Sequence, residues 1–365
     1  WMGWLAYEAS AWVEPGAHWQ EPAMAVLWAG RFSHELVFDL REQHLWLEGD
    51  AAYWADGEAH RRLQQLIETA EPPPAFELSV PPDSWQWHTS PARFARQVQQ
   101  IRAWIEAGDL FQANLTACCQ SALQAGGPSG AAAALALYGR LRQHCPAPFA
   151  GLAIGNGGAS GEAVLCSSPE RFLCCSPDGR VETRPIKGTR PRHRQSEHDA
   201  AAAAELVSSP KDRAENVMIV DLLRNDLGRV CRPGSIAVPQ LVGLESYPQV
   251  HHLTSVIEGQ LQAAQTRIDL LRACWPGGSI SGAPKVRACQ RLNALEPVAR
   301  GAYCGSLFRL GGDGSLDSNI VIRSLMLKQR SLWAHAGCGI VSDSEPEAEA
   351  TEMGWKIEPL LAALA

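Results

Sequence analysis

Arg184-Pro-Ile-Lys-Gly-Thr-Arg190 sets one lysine, Lys187, between two arginines on a stretch bent by Pro185 and Gly188. Flanking cations disfavour a charged ammonium and partial burial adds to that, so Lys187 is a candidate amine nucleophile toward carbon. The same seven residues would equally make a basic loop that grips an anion. Two further segments carry acids three residues apart, Asp212 with Glu215 and Glu349 with Glu352. On a helix that spacing puts both carboxylates on one face. Two such faces meeting would offer the oxygen ligands that Mg²⁺ takes together with an anionic substrate. Taken singly, each pair also suits a solvated helix start, where acids complement the dipole. Gly277-Gly-Ser-Ile-Ser-Gly-Ala-Pro-Lys285 runs small residues into a helix start that would receive an anion on its free N–H groups, or simply cap the helix. It lacks the spacing of a nucleotide P-loop. Gly337-Cys-Gly339 lets a ligand, or another strand, come close to the backbone. His251, His252 and Arg323 complete the set; the planar fork of Arg323 matches a carboxylate if it faces a cavity, or pairs with an internal acid if it does not.

These residues need elements to hold them. Ser209-Pro210 is a helix start, and the helix should run to Gly228 with the first acid pair on it. Val217, Ile219, Val220, Leu222 and Leu223 cover most of its circumference, the pattern of a buried helix. The second acid pair opens a last helix from Glu345 to the end. Strands are expected at 149–154, 163–167, 172–175 and 181–184, with Lys187 just past the last strand end, where sites commonly form. Another strand is expected at 319–327, with Arg323 inside it, and one more at 332–341. Other helices should cover 90–108, 131–144, 266–274 and 282–295, with strands at 110–116, 235–238 and 253–260 and a hairpin around 311–314. Residues 1–47 read as short strands and hairpins whose tryptophans are core. A helix is expected at 58–68, and 71–83, with five prolines, reads as a connector. Strands in groups with helices between them indicate an α+β fold with large antiparallel or mixed sheets. The expected division is a strand-rich N-terminal region, 1–80, and a catalytic domain, 90–360. The chain opens at Trp1 in the middle of strand-like text, so an N-terminal portion is expected to be missing.

Composition narrows the class. Hydrophobic residues make up 46% and charged residues 19%, and the net charge is -7. That balance argues against nucleic acid as a partner, since such binding rests on a basic field. Eleven cysteines, an odd and scattered set without Cys-x-x-Cys spacing, read as reduced, buried small hydrophobes of a cytoplasmic protein. No apolar run reaches the ~18 residues of a membrane span.

Taken in order, the segments resemble the chorismate-utilising enzymes: anthranilate synthase component I, isochorismate and salicylate synthases, and aminodeoxychorismate synthase component I. The resemblance runs through Phe111-Gln-Ala-Asn-Leu-Thr116, Ser168-Pro-Glu-Arg-Phe172, Arg184 to Arg190, Lys211 to Asn216, Asp221 to Arg229 and Val250-His-His-Leu253. It continues through Pro276 to Arg287, Arg300-Gly-Ala-Tyr-Cys-Gly305, Ile320-Val-Ile-Arg323, Ala336 to Val341 and Asp343 to Lys356. Within the family, Pro-Ile-Lys-Gly-Thr and Gln-Ala-Asn-Leu-Thr resemble the aminodeoxychorismate synthase component I branch, where anthranilate synthases carry alanine in place of the lysine. That branch makes 4-amino-4-deoxychorismate for 4-aminobenzoate and folate biosynthesis.

The resemblance implies roles by position. Glu215 and Glu352 would hold Mg²⁺ directly and Asp212 and Glu349 through water, with the ring carboxylate of chorismate on the metal. Arg323, Tyr303 and the backbone at Gly337 and Gly339 would take the enolpyruvyl carboxylate. Ser279 and Lys356 would supply further polar groups, and His252 would lie against the ring. Gln112 stands where water-adding relatives place a lysine base, and an amide cannot do that work. Glu170 would protonate the departing 4-hydroxyl, and Lys187 would attack ring C2. Ammonia would come from a glutamine amidotransferase subunit or from solution. The rival expectations are anthranilate synthesis, with the amine at C2 and pyruvate lost, and a chorismate-binding subunit without catalysis.

Overall fold

Apart from a hairpin of His34–Asp39 with His44–Gly49, the described strands sort into two antiparallel sheets. The computed structural model describes residues 1–16, 18–71, 78–124, 126–155, 161–247 and 250–365. One sheet runs Ile186–Pro191, Val250–Gln260, Arg180–Thr183, Arg171–Cys175, Leu316–Asn319, Ser306–Leu310, Met2–Leu5 and Leu27–Gly30, with Ala237–Ser246 also beside Val250–Gln260. The other runs Gly282–Ala283, Gln112–Ala122, Ser331–Ile340, Ser324–Lys328, Glu162–Ser168 and Phe149–Ile154, with Gln86–Trp87 on Gln112–Ala122. The fold is α+β, as the grouping of strands requires.

The chain steps from sheet to sheet at two short links. Glu162–Ser168 leads through Pro169 and Glu170 into Arg171–Cys175, and Leu316–Asn319 leads through 320–323 into Ser324–Lys328. Glu170 and Arg323 therefore stand where the sheets are joined. The strand expected over 319–327 is split at this point. Arg323 has φ 52°, a left-handed conformation that an extended strand does not contain and that non-glycine residues adopt chiefly where function or packing imposes it.

Helices Pro91–Glu106 and Pro346–Ala362 pack on each other and on the strand Ser331–Ile340. Ser90 caps the first by accepting the Arg93 N–H at 3.3 Å, and Phe94, Val98 and Ile101 of its apolar stripe are fully buried. Helix Pro210–Gly228 lies on Val250–Gln260 and Ile186–Pro191, capped by Ser209 accepting the Asp212 N–H at 3.2 Å. It is buried on one side rather than all round: Ile219, Val220, Leu223 and Leu227 are covered, while Val217 is 39% exposed. The helix covers one sheet face, so only one stripe needs to be apolar. Helix Ser196–Ser208 is an element the sequence did not announce, because its run of alanines buries only Ala202 and Leu206.

Lys187 also sits differently from the expectation. It lies within a strand, Ile186–Pro191, paired with Val250–Gln260, and the register shifts between Lys187 and Thr189. Gly188 makes the irregularity possible with φ 80°; a Cβ there would press on Asp212 at 3.0 Å and Leu206 at 2.8 Å. Of the connector expected over 71–83, residues 72–77 lie outside the described residues. All eleven cysteines are free and nine are buried, as small core hydrophobes. Among the described residues no helix is long and apolar enough to cross a membrane.

Candidate active site

Lys187 reaches a cavity between the two sheets. Glu170, His252, Ser279, Tyr303 and Arg323 line it, as do Gly337, Gly339 and Lys356 from the opposite sheet and its helix. The acids Asp212, Glu215, Glu349 and Glu352 line the same cavity, so the two acid-bearing helix faces do meet. Gln112 is the exception. It is 1% exposed, is not part of the lining although its amide lies beside Gly339, and its Oε1 is buried without a hydrogen-bond partner.

Ser279, at the start of the short helix Gly278–Ser281, ties the two central groups together. Its hydroxyl donates to Glu170 Oε1 at 2.8 Å, and its carbonyl receives the Lys187 ammonium in a long contact of 3.5 Å. Burial pushes the Glu170 carboxyl up to about 7, against the opposing effects of the Ser279 hydroxyl and the Lys187 charge. A carboxyl in that range serves as a proton donor at neutral pH.

The arginines flanking Lys187 do not face it. Arg184 is 2.6 Å from Glu245, and Arg190 is 3.0 Å from Glu205 and 3.3 Å from Asp212. The charges acting with Lys187 are the carboxylates Glu170, Glu215 and Glu352. The two cations expected from the sequence to crowd Lys187 are thus engaged elsewhere, and carboxylates face it instead.

Two neutral groups and one cation complete that wall. His252 is driven down to about 4, first by burial and then by Arg323, and its Nδ1 lies 2.9 Å from the Thr189 hydroxyl. Burial raises the Tyr303 phenol well above its ordinary value. Arg323 forms no ion pair or side-chain hydrogen bond among the described residues, and burial lowers its guanidinium from the usual range. A guanidinium facing a cavity without a protein acceptor is suited to a carboxylate brought in by a ligand.

The acid cluster fits a hard divalent cation. Burial raises the Glu215 carboxyl and the nearby Asp212 and Glu349 charges raise it further, while Lys187 and Lys211 oppose them. A bound cation would relieve that repulsion. Cys338 has its sulfur within 4.8 Å of carboxylate oxygens of Glu349 and Glu352, but burial pushes its thiol up to about 12, which leaves an all-oxygen donor set. Three of the acids also hold internal cations: Glu349 is 3.3 Å from Lys211, Glu352 is 2.7 Å from Lys356, and Asp212 is paired with Arg190. Burial opposes ionisation of Glu352, but the Lys356 ammonium holds its carboxyl below the usual range. Lys356 also donates to the Gly337 carbonyl at 2.9 Å, which fixes the glycine strand against the last helix.

Lys211, Asn114, His335 and Trp355 line the cavity without having been singled out in the sequence. Lys211 precedes an acid pair, a position that would have flagged it. Trp355, 67% exposed, carried no such signal.

Residues 1–362 match the chorismate binding enzyme family. The chain belongs to that family. It is an enzyme that acts on chorismate. This chorismate binding enzyme is 42% identical over 345 residues to aminodeoxychorismate synthase component 1 of Salmonella typhimurium, covering 93% of this chain and 70% of that protein. The identity to the Klebsiella aerogenes protein of the same name is also 42%, over 341 residues, with 93% and 70% covered. The crystal structure of anthranilate synthase component I from Streptococcus pneumoniae TIGR4 superposes with a TM-score of 0.81 at 30% identity, covering 99% of this chain and 80% of that one.

Proposed function

We propose that this enzyme aminates chorismate at C4, giving 4-amino-4-deoxychorismate, through a covalent intermediate on Lys187. The observation that carries the reading is the joint placement of Lys187 and Glu170 in one cavity, bridged by Ser279. The relatives named aminodeoxychorismate synthase component 1 support the same product.

Lys187, having passed its proton to a neighbouring carboxylate, attacks C2 through its free amine. The two ring double bonds shift, and the C4–O bond breaks as Glu170 gives its proton to the leaving hydroxyl, releasing water. The adduct's ammonium then loses a proton to the Glu170 carboxylate. Ammonia attacks C4, the double bonds return, and the C2–N bond breaks with proton return to the lysine. Arg323 and Tyr303 bind the enolpyruvyl carboxylate, which stays on the ring, and neutral His252 packs against the ring without adding charge. Glu215, Glu352, Asp212 and Glu349 would hold Mg²⁺, which supplies positive charge for the ring carboxylate. Ammonia would be delivered by a glutamine amidotransferase partner, a reading supported by the words component 1 in the names of the relatives. The product would feed 4-aminobenzoate and folate synthesis in the cytoplasm.

Anthranilate formation is the second reading, favoured by the likeness to the pneumococcal structure. Against it, a lysine that attacks C2 would occupy the place from which ammonia would have to reach that carbon. The test is to incubate the chain with chorismate, Mg²⁺ and an ammonium salt and identify the product by chromatography and mass. Omitting ammonium should leave a chorismate-derived mass on Lys187, absent from Lys187→Ala. Anthranilate as product, or no adduct and full turnover by Lys187→Ala, would sink the proposal.

A further inference from the structure

Inward-facing residues alternate along Ser331–Ile340, so Trp333, His335, Gly337 and Gly339 follow one another on one face of the sheet. Gly337 and Gly339 line the reaction cavity, whereas Trp333 lines a separate recess. His335 is the one described residue that lines both. The recess is lined by Gln20, Ala23 and Met24 from the N-terminal part of the chain and by Val298, Ala299 and Gly301 from a segment far along it.

His335 is 2% exposed, and its Nδ1 has no hydrogen-bond partner. An imidazole nitrogen buried without a partner is costly to keep in a dry core unless something polar visits it. The ring is held in place by stacking on Tyr303, at 5.1 Å between centroids and 18° between planes. Burial, with a further push from Arg300, lowers it to about 3, so at neutral pH the ring is uncharged and presents one donor and one acceptor nitrogen. Such a group hydrogen-bonds a small neutral molecule without attracting or repelling ions.

We propose that the recess is a second entrance to the reaction cavity, through which ammonia passes His335 while chorismate occupies the main opening. This rests on the amination reading given above. A rear entrance solves a problem of order: bound chorismate fills the space before the amine is needed, and the amine must arrive after water has been expelled from C4. Passage as NH₃ rather than ammonium also suits a route whose central group is a neutral ring.

The test narrows the recess without touching the reaction cavity. Ala299→Trp and Ala23→Trp each place a large side chain in the recess lining, from two separate segments of the chain, at positions that are not fully buried. Each should lower kcat/KM for ammonium about tenfold or more and leave KM for chorismate within about twofold, with unchanged thermal melting. Methylamine, larger than ammonia, should be excluded more strongly by the variants than by the parent chain. Unchanged kcat/KM for ammonium in both well-folded variants overturns the proposal, the result expected if the amine enters by the mouth or by the surface recess at Pro146, Tyr247 and His252. Failure of the amination reading is told apart by the parent chain, which would then show no ammonium-dependent product; that outcome overturns both.

Discussion

Glu170 and Lys187 are held by a single residue: the Ser279 hydroxyl donates to Glu170 Oε1 at 2.8 Å, and the Ser279 carbonyl receives Lys187 Nζ at 3.5 Å. The proposed acid and nucleophile therefore keep a fixed relation even though one lies on the link between the sheets and the other in the strand Ile186–Pro191. Between Ile186–Pro191 and Arg171–Cys175 in that sheet lie Val250–Gln260 and Arg180–Thr183.

Glu170→Gln keeps the shape and the Ser279 contact but has no proton to give. Turnover should fall by roughly 10²- to 10⁴-fold, the usual contribution of a positioned acid, while chorismate still binds. The parent enzyme should lose kcat/KM as pH rises through about 7, because the raised Glu170 carboxyl is the acid only below that value. A rate profile flat through neutrality would assign the proton to another group.

Chelation should abolish turnover, and Mg²⁺ should restore it. Mg²⁺ should also raise the melting temperature of the parent chain and do so less in Glu215→Gln, a readout independent of activity. Lys211→Ala removes the cation 3.3 Å from Glu349, and the Mg²⁺ concentration needed for half-maximal stabilisation should fall several-fold. A weaker Mg²⁺ response in Lys211→Ala would show that the lysine supports the site rather than competing for it.

Gly337 and Gly339 should respond differently to alanine. A Cβ at Gly337 would run into the Leu115 carbonyl of the neighbouring strand, which cannot swing away, so Gly337→Ala should lower stability. At Gly339 the added methyl would meet the Gln112 side-chain amide and come within 3.4 Å of Lys187 Nζ. Those are flexible ends, so Gly339→Ala should fold well and lose activity, with circular dichroism melting and kcat measured on the same samples.

Glu8 offers a test of stability against pH. Its Oε1 accepts the Arg300 N–H at 2.7 Å, its Oε2 is buried without a partner, and burial raises the carboxyl from 4.5 to about 7. The native state thus holds a proton that the unfolded chain releases above 4.5, and stability should decline as pH rises from there through about 7, by up to roughly 3 kcal/mol. Glu8→Gln should flatten that decline. Equal slopes in urea titrations at pH 5 and pH 8 for parent and variant would count against it.

Much of this site could be read from the chain because its residues sit in local patterns. Ser209-Pro210 marked a helix start, and the i, i+3 acids then fell on one face. Ser90 did the same for Pro91–Glu106. What depended on distant pairing was not legible. The Lys187 segment is a strand only because Val250–Gln260 lies beside it, and its arginines are claimed by Glu245, Glu205 and Asp212 from elsewhere in the chain. Arg323 looked like a strand residue because its neighbours are apolar, while its left-handed backbone comes from the passage between sheets. His335 gave no signal at all, since a single histidine between small residues is ordinary until two cavities are found on either side of it.

The helix Pro346–Ala362 brings Glu349, Glu352 and Lys356 to a wall whose other members were made much earlier in synthesis. A nascent chain that has already emerged with Lys187 and Glu170 holds the proposed nucleophile and acid but only half of the acidic cluster. The cavity is therefore complete only when this helix, the last of the chain, docks on Pro91–Glu106 and Ser331–Ile340.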